Sequence, residues 1–126
     1  MKNQEAKRIL SIGVAILLLF HGVHNATYGV DAIIEILETQ DIPFAKYLVY
    51  ALFLSELIAP ILLLCNRLVN IAGTLIVINI SVTISIVHID HLLEITKYGV
   101  WGVEVPILYL IIGATLALWE NETTLN

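Results

Sequence analysis

The sequence predicts an all-α fold: an antiparallel transmembrane four-helix bundle with a short amphipathic surface helix between its first two spans. Three observations predict it. Of 126 residues, 59% are hydrophobic, and mean hydropathy is +0.91; a soluble domain is roughly 45–50% apolar. Only 13% of residues are charged, and they gather between long uncharged stretches. Four such stretches approach the roughly 20 apolar residues that a helix needs to cross the hydrocarbon core. They do not alternate in polarity as barrel strands do, so helices are predicted. At this length the whole chain, 1–126, reads as a single transmembrane domain.

The first span covers residues 9–28. Its basic start and apolar middle imitate a signal peptide, but no small-x-small cleavage site follows, and His21 and His24 interrupt its end. It is read as a mature helix. In the next linker Ile33, Ile34 and Leu37 fall on one helical face, with Asp31, Glu35 and Glu38 elsewhere. That pattern predicts a short helix resting on the outer membrane surface. The second span covers 43–64. A tight connection around Asn66-Arg67 joins it to the third, 69–89, so those two should form an antiparallel hairpin. The fourth covers 101–119. Trp101, Trp119, Tyr28, Tyr47 and Tyr98 fall near span ends, where aromatic belts form.

Charge sets the expected orientation. Lys2, Lys7, Arg8 and Arg67 lie on one side of the predicted spans, Lys46 and Lys97 on the other. The positive-inside rule then places both termini in the cytoplasm. The net charge of −5 argues against nucleic-acid binding. The single cysteine, Cys65, excludes an internal disulfide and any Cys-x-x-Cys redox pair within the chain. Two sequon matches, Asn25-Ala26-Thr27 and Asn121-Glu122-Thr123, are set aside: the first is at a membrane helix end, the second in the predicted cytoplasmic tail.

Ionisable residues inside a span are costly and mark function. The four histidines form two pairs, His21-x-x-His24 and His88-x-x-His91, each toward the external end of an outward-running helix. Residues three apart share a helix face. Glu56 lies inside the second span and Glu104 near the external start of the fourth. From the rise per residue, His21 should lie about 10 Å below the outer boundary, Glu56 about 13 Å, and His88 and Glu104 about 2–5 Å. The six side chains should therefore share the outer half of one bundle. Pro60, four residues after Glu56, removes a helix bond to the Glu56 carbonyl and should kink the helix. Thr74, Ser81, Ser85 and His88 form a stripe that should line a polar interior or pack against a neighbour. Asn79 and Thr83 should face packing or the lipid edge. Each half also reads as a His-x-x-His helix followed by a Glu shortly before a Pro, Glu56 to Pro60 and Glu104 to Pro106, which suggests a duplicated hairpin.

Three chemistries suit this set. Imidazole and carboxylate together bind iron, zinc, copper or manganese, with His21, His24, Glu56, His88, His91 and Glu104 as ligands. Two histidines from facing helices can hold a haem. A Glu and a His near the outer leaflet can bind a quinone head group and take its protons on oxidation, with His21 and Glu56 as the catalytic pair. The spacing does not choose among them.

The order of residues also carries a family resemblance. The first span ends Leu18-Leu19-Phe20-His21-Gly22. A short linker leads to Ile42-Pro43, the second span carries Leu54-Ser55-Glu56-Leu57, and a leucine run ends near Asn66-Arg67-Leu68. The fourth opens with aromatic and Gly residues before Glu104. From about residue 8 to 120 this resembles the DoxX family of small four-helix membrane proteins. The resemblance implies a prokaryotic cytoplasmic (inner) membrane, and a link to thiosulfate–quinone oxidoreductase and membrane redox complexes. It also implies functional polar positions at His21, Gly22, Glu56 and Glu104. Family members often carry a Lys shortly after the first His-Gly; here the chain reads His24-Asn25-Ala26-Thr27. That departure weighs against anion binding, and the added His24, His88 and His91 point to a metal or haem. Two expectations from different classes follow: a membrane oxidoreductase coupled to quinone and a redox subunit, or a non-catalytic accessory subunit whose polar cluster is structural. A transporter is the weaker third. A homo-oligomer is compatible with each.

Overall fold

In the computed structural model, residues 2–119 are described, with the side chains of Val87 and His91 outside that description. The described chain is all-α, with five α-helices, one 3-10 turn and no strand beyond a single bridge between Ile95 and Trp101. Helix α1 is Lys2–Tyr28, α2 Asp31–Thr39, α3 Ala45–Leu64, α4 Val69–Val87 and α5 Glu104–Leu118, with the 3-10 turn at Ile89–His91. Three helices, α1, α3 and α4, are long and apolar enough to cross a membrane. Helix α5 is equally apolar but has 15 residues, about 22 Å of rise, with Trp101–Val103 of the expected span forming a turn before it.

Both faces of a membrane helix are apolar, one meeting protein and the other lipid, so burial identifies the inward stripe. On α1 the buried residues are Lys7, Ser11, Val14, Ala15, Leu18, Gly22 and Asn25, a single line at helical spacing. Ile9, Ile16, Leu17, Phe20 and Val23 are exposed on the other side.

Helix α1 packs chiefly on α3, and α4 chiefly on α5, with α3 against α4 joining the two pairs. Each pair is pinned at the same end by a side chain from its first helix. Arg8 donates to the carbonyls of Leu63 and Leu64 at 2.9 and 2.8 Å. Asn70 donates to those of Ala117 and Trp119 at 2.9 and 2.8 Å. The last carbonyls of a helix have no intrahelical donor, so α3 and α5 are both capped this way. Small residues set the closest approaches. A Cβ on Gly73 of α4 would run into the Ala117 nitrogen of α5, and one on Gly22 of α1 would lie 2.9 Å from Leu57 Cδ2 of α3. Pro60 stays within a continuous α3.

Two apolar cores result. The inner one joins Val14, Ala15 and Leu18 of α1, Ala59 and Leu63 of α3, Val69, Ala72 and Ile76 of α4, and Leu116 of α5. The other, at the opposite end of the bundle from the Arg8 and Asn70 caps, joins Val30, Leu37, Ala45 and Val49. The short amphipathic helix is present as expected, and its apolar face packs on protein: Leu37 is buried against α3. Asp31, Glu35 and Glu38 are exposed.

The stripe on α4 corrects the expectation from sequence. Thr74, Ser81 and Ser85 are exposed, and Thr74 and Ser85 each bond a carbonyl one turn back in their own helix. The opposite side faces inward: Asn79 is 5% exposed, and its amide donates to the Leu52 carbonyl and to Ser55 Oγ on α3. Self-bonding hydroxyls need no polar neighbour, whereas a buried amide does. The second sequon, at Asn121, lies outside the described residues.

Candidate functional site

Between the two cores the bundle holds its polar residues. His21 and Asn25, one turn apart on α1, both face Glu56 on α3. His21 Nε2 is 3.7 Å from Glu56 Oε1, close enough for charge attraction but too long for a hydrogen bond. Asn25 Nδ2 donates to Glu56 Oε2 at 2.8 Å. Each carboxylate oxygen thus meets one α1 side chain. The Glu56 side chain is 11% exposed and that of His21 64%, so the carboxylate is the enclosed partner and the imidazole the accessible one. Gly22, between them in sequence, brings the two backbones together: its built Cβ lies 3.4 Å from the Glu56 carbonyl.

Two cavities meet at this pair. The larger, about 440 Å³, lies between α1, α4 and α5 and is lined by Leu17, Phe20, Ile80, Val105, Pro106 and Tyr109, among others. The smaller, about 290 Å³, lies beneath α2 and is lined by Val30, Ile33, Leu37, Val49, Leu52 and Phe53 with others. Both are bordered by His21, His24, Glu56, Thr83 and His88. These five residues form a polar wall with an apolar chamber on either side. His24 also stacks at a tilt on Tyr28, ring centroids 4.7 Å apart.

The structure therefore brings His21, His24, Glu56 and His88 to one place. Glu104 is not among the residues lining either cavity; it sits exposed in the first turn of α5, where the helix dipole favours a carboxylate. The side chain of His91 lies outside the described residues. Among the described residues, no three His, Cys, Asp or Glu groups are placed to hold a metal ion. Sequence reasoning missed Asn25, Thr83, Asn79 and Tyr109. The signal for Asn25 was available: it lies four residues after His21, on the same helix face.

A family model, DoxX, matches residues 7–89 of the chain, more than half of its 126 residues. This chain belongs to the DoxX family. The DoxX match covers α1 to α4, and hence His21, Gly22, Glu56 and His88, and ends before α5 and Glu104. With its several long apolar helices, this DoxX chain is a membrane protein. No curated protein and no solved structure matches it.

Proposed function

We propose that this DoxX-family chain binds the ring of a quinone in the outer half of a four-crossing antiparallel bundle and exchanges its protons through His21 and Glu56. One observation carries the reading: a chamber of about 440 Å³ between apolar helices, apolar on the α1–α5 side and closed on the other by a polar wall at whose centre an imidazole–carboxyl pair meets. Ligand sites are of this size, mostly apolar, with a few placed polar groups. A quinone offers the matching chemistry, a flat apolar ring bearing carbonyl oxygens. Phe20 and Tyr109 border the space for the ring, and an imidazole N–H of His21 donates to a ring carbonyl. When a quinol is oxidised, its hydroxyl protons pass to His21 and Glu56, and its electrons leave to a redox subunit docked outside this chain. Quinone reduction runs the same steps backwards.

The geometry gives less support to a metal or haem. A metal needs three or more convergent ligands, and among the described residues no three His, Cys, Asp or Glu groups are placed to hold one. The structural reading draws on a different observation, the Asn25–Glu56 bond, which gives the buried carboxylate a partner within the bundle.

For the setting, the reading takes α5 as the fourth crossing, both termini in the cytoplasm and a prokaryotic inner membrane. The Asn70 bonds to the end of α5 support the first, since they hold that end beside the start of α4. Arg8 and Arg67 at the α3 end support the second.

The test is equilibrium titration of a tailless benzoquinone into the protein in lipid nanodiscs. His21→Ala and Glu56→Gln should each weaken binding by roughly tenfold, the loss of one good polar contact. Wild-type affinity in the double variant would sink the reading in favour of a structural cluster. Elemental analysis completes it. If about one equivalent of iron, zinc, copper or manganese co-purifies and is lost in a His21→Ala, His88→Ala variant, a metal centre replaces the quinone site.

A further inference from the structure

The larger chamber has a shape that assigns its entrance. In the inner half of the bundle, α1 and α5 share one core, with Val14 and Leu18 of α1 in the same buried cluster as Leu116 of α5. The overall contact of the two helices is light, and in the outer half the chamber lies between them, with Leu17 and Phe20 of α1 on one side and Val105 and Tyr109 of α5 on the other. The chamber fills that wedge. Its rim residues on the two helices are open to the surroundings: Leu17 is 56%, Phe20 74% and Val105 55% exposed. In a membrane protein these surroundings are acyl chains, because Leu17, Phe20 and Val105 are apolar and lie within the apolar stretches of their helices, while the exposed His21 and His24 border the same chamber on its polar side. The chamber beneath α2 is different. Its walls include Val30, Leu37 and Val49, which are almost fully buried, and α2 covers it with a charged outer face.

From this geometry we infer that the gap between α1 and α5 is a lateral entrance from the outer leaflet, through which the ligand's hydrocarbon chain leaves while its ring stays against the His21–Glu56 wall. This rests on the quinone reading of the same site and adds the path of the ligand's hydrocarbon chain, between Leu17 and Val105. Transfer of a chain from lipid to an apolar protein groove gains little, since lipid is as apolar as the groove. The gap therefore admits the chain without holding it tightly, as an entrance should.

Filling the gap separates chain from ring. Val105→Trp and, independently, Leu17→Trp place a bulky side chain on the rim, where an aromatic residue near the membrane boundary is well tolerated. The readout is equilibrium affinity in nanodiscs for a decyl-tailed benzoquinone and for its tailless counterpart. At equilibrium a tailless ring puts no chain in the gap, so each rim variant should weaken it several-fold less than the tailed quinone, which should weaken by roughly tenfold or more, equivalent to a cost of 1.4 kcal/mol per decade. Ile33→Trp, which fills the chamber beneath α2, should alter neither. If both rim variants bind the tailed quinone as wild type does, the entrance is elsewhere and the inference is overturned. If Ile33→Trp alone weakens the tailed quinone, the chain occupies the chamber beneath α2, which also overturns it. Loss of tailless binding in both rim variants would place the ring, not the chain, in the gap, and overturn it too. A wild-type protein that binds neither compound fails at the earlier step: the quinone reading falls and takes this one with it.

Discussion

Glu56 shows how a carboxylate is kept inside an apolar bundle. An unpaired charge there is costly, and this one faces His21 on one oxygen and Asn25 on the other. Asn25 holds the geometry: its bond is short, whereas His21 stands off at 3.7 Å. The accessible imidazole is thus left to meet a ligand. Replacing Asn25 with Leu should destabilise the bundle by about 1–3 kcal/mol, because a polar group in the interior loses its partner. Adding Glu56→Gln should recover part of that loss, since the neutral amide is less costly to bury. Melting temperature in mild detergent reads both. An Asn25→Leu variant as stable as wild type would show that Glu56 is satisfied without it. Of this cluster, His21 and Glu56 were legible in the sequence because ionisable residues stand out in an apolar run. The spacing of Asn25 puts it on the His21 face, but a neutral amide at a helix end has many uses, here including a sequon, so spacing alone does not single it out. Glu104 stood out equally, yet lies outside the cavity lining: the turn Trp101–Val103 shortens α5 and leaves Glu104 at its exposed start.

At the scale of elements, length and apolarity made the spans readable, and their faces were hidden. A soluble helix shows its inward side by alternating polar and apolar residues. Here lipid and interior ask for the same residue types, so the stripe Thr74, Ser81, Ser85 suggested an interior and proved to be exposed. On α4 the inward side mixes Val69, Ile76 and Asn79 with a small pair at the closest approach. Ala72 and Gly73 are buried together, and Gly73 lies where α4 meets α5 backbone to backbone. Gly73→Ala would force a methyl group against the Ala117 nitrogen and Gly113 carbonyl. A rigid backbone cannot yield as a side chain does, so the cost should be at least about 1–3 kcal/mol. Gly13 makes the control: nothing lies within 4 Å of its built Cβ, and Gly13→Ala should be neutral or stabilising by up to about 1 kcal/mol through helix propensity. Comparable melting temperatures for the two variants would mean that α4 and α5 do not meet backbone to backbone at Gly73.

The whole molecule has the order that a duplicated hairpin would give. Helices α1 and α3 pair as α4 and α5 do, and Arg8 caps one pair as Asn70 caps the other. The correspondence is one of packing, since Glu104 does not repeat the placement of Glu56. It bears on whether α5 crosses the membrane. Its 15 residues rise about 22 Å, short of a hydrocarbon core of roughly 30 Å. A short span can still cross by local thinning of the bilayer and by anchoring at its ends, and Trp101 and Trp119 stand just beyond either end. The chain holds one cysteine, Cys65, exposed at the α3 end that Arg8 caps, which makes topology directly measurable. In intact cells Cys65 should resist a membrane-impermeant maleimide and react once the membrane is opened. In a Cys65→Ser background, Thr39→Cys on α2 and Lys97→Cys before α5 should react from outside, while Trp119→Cys should behave as Cys65 does. If positions 97 and 119 react alike from outside, α5 does not cross. The wedge between α1 and α5 would then face water rather than lipid, and the lateral entrance would fail with it.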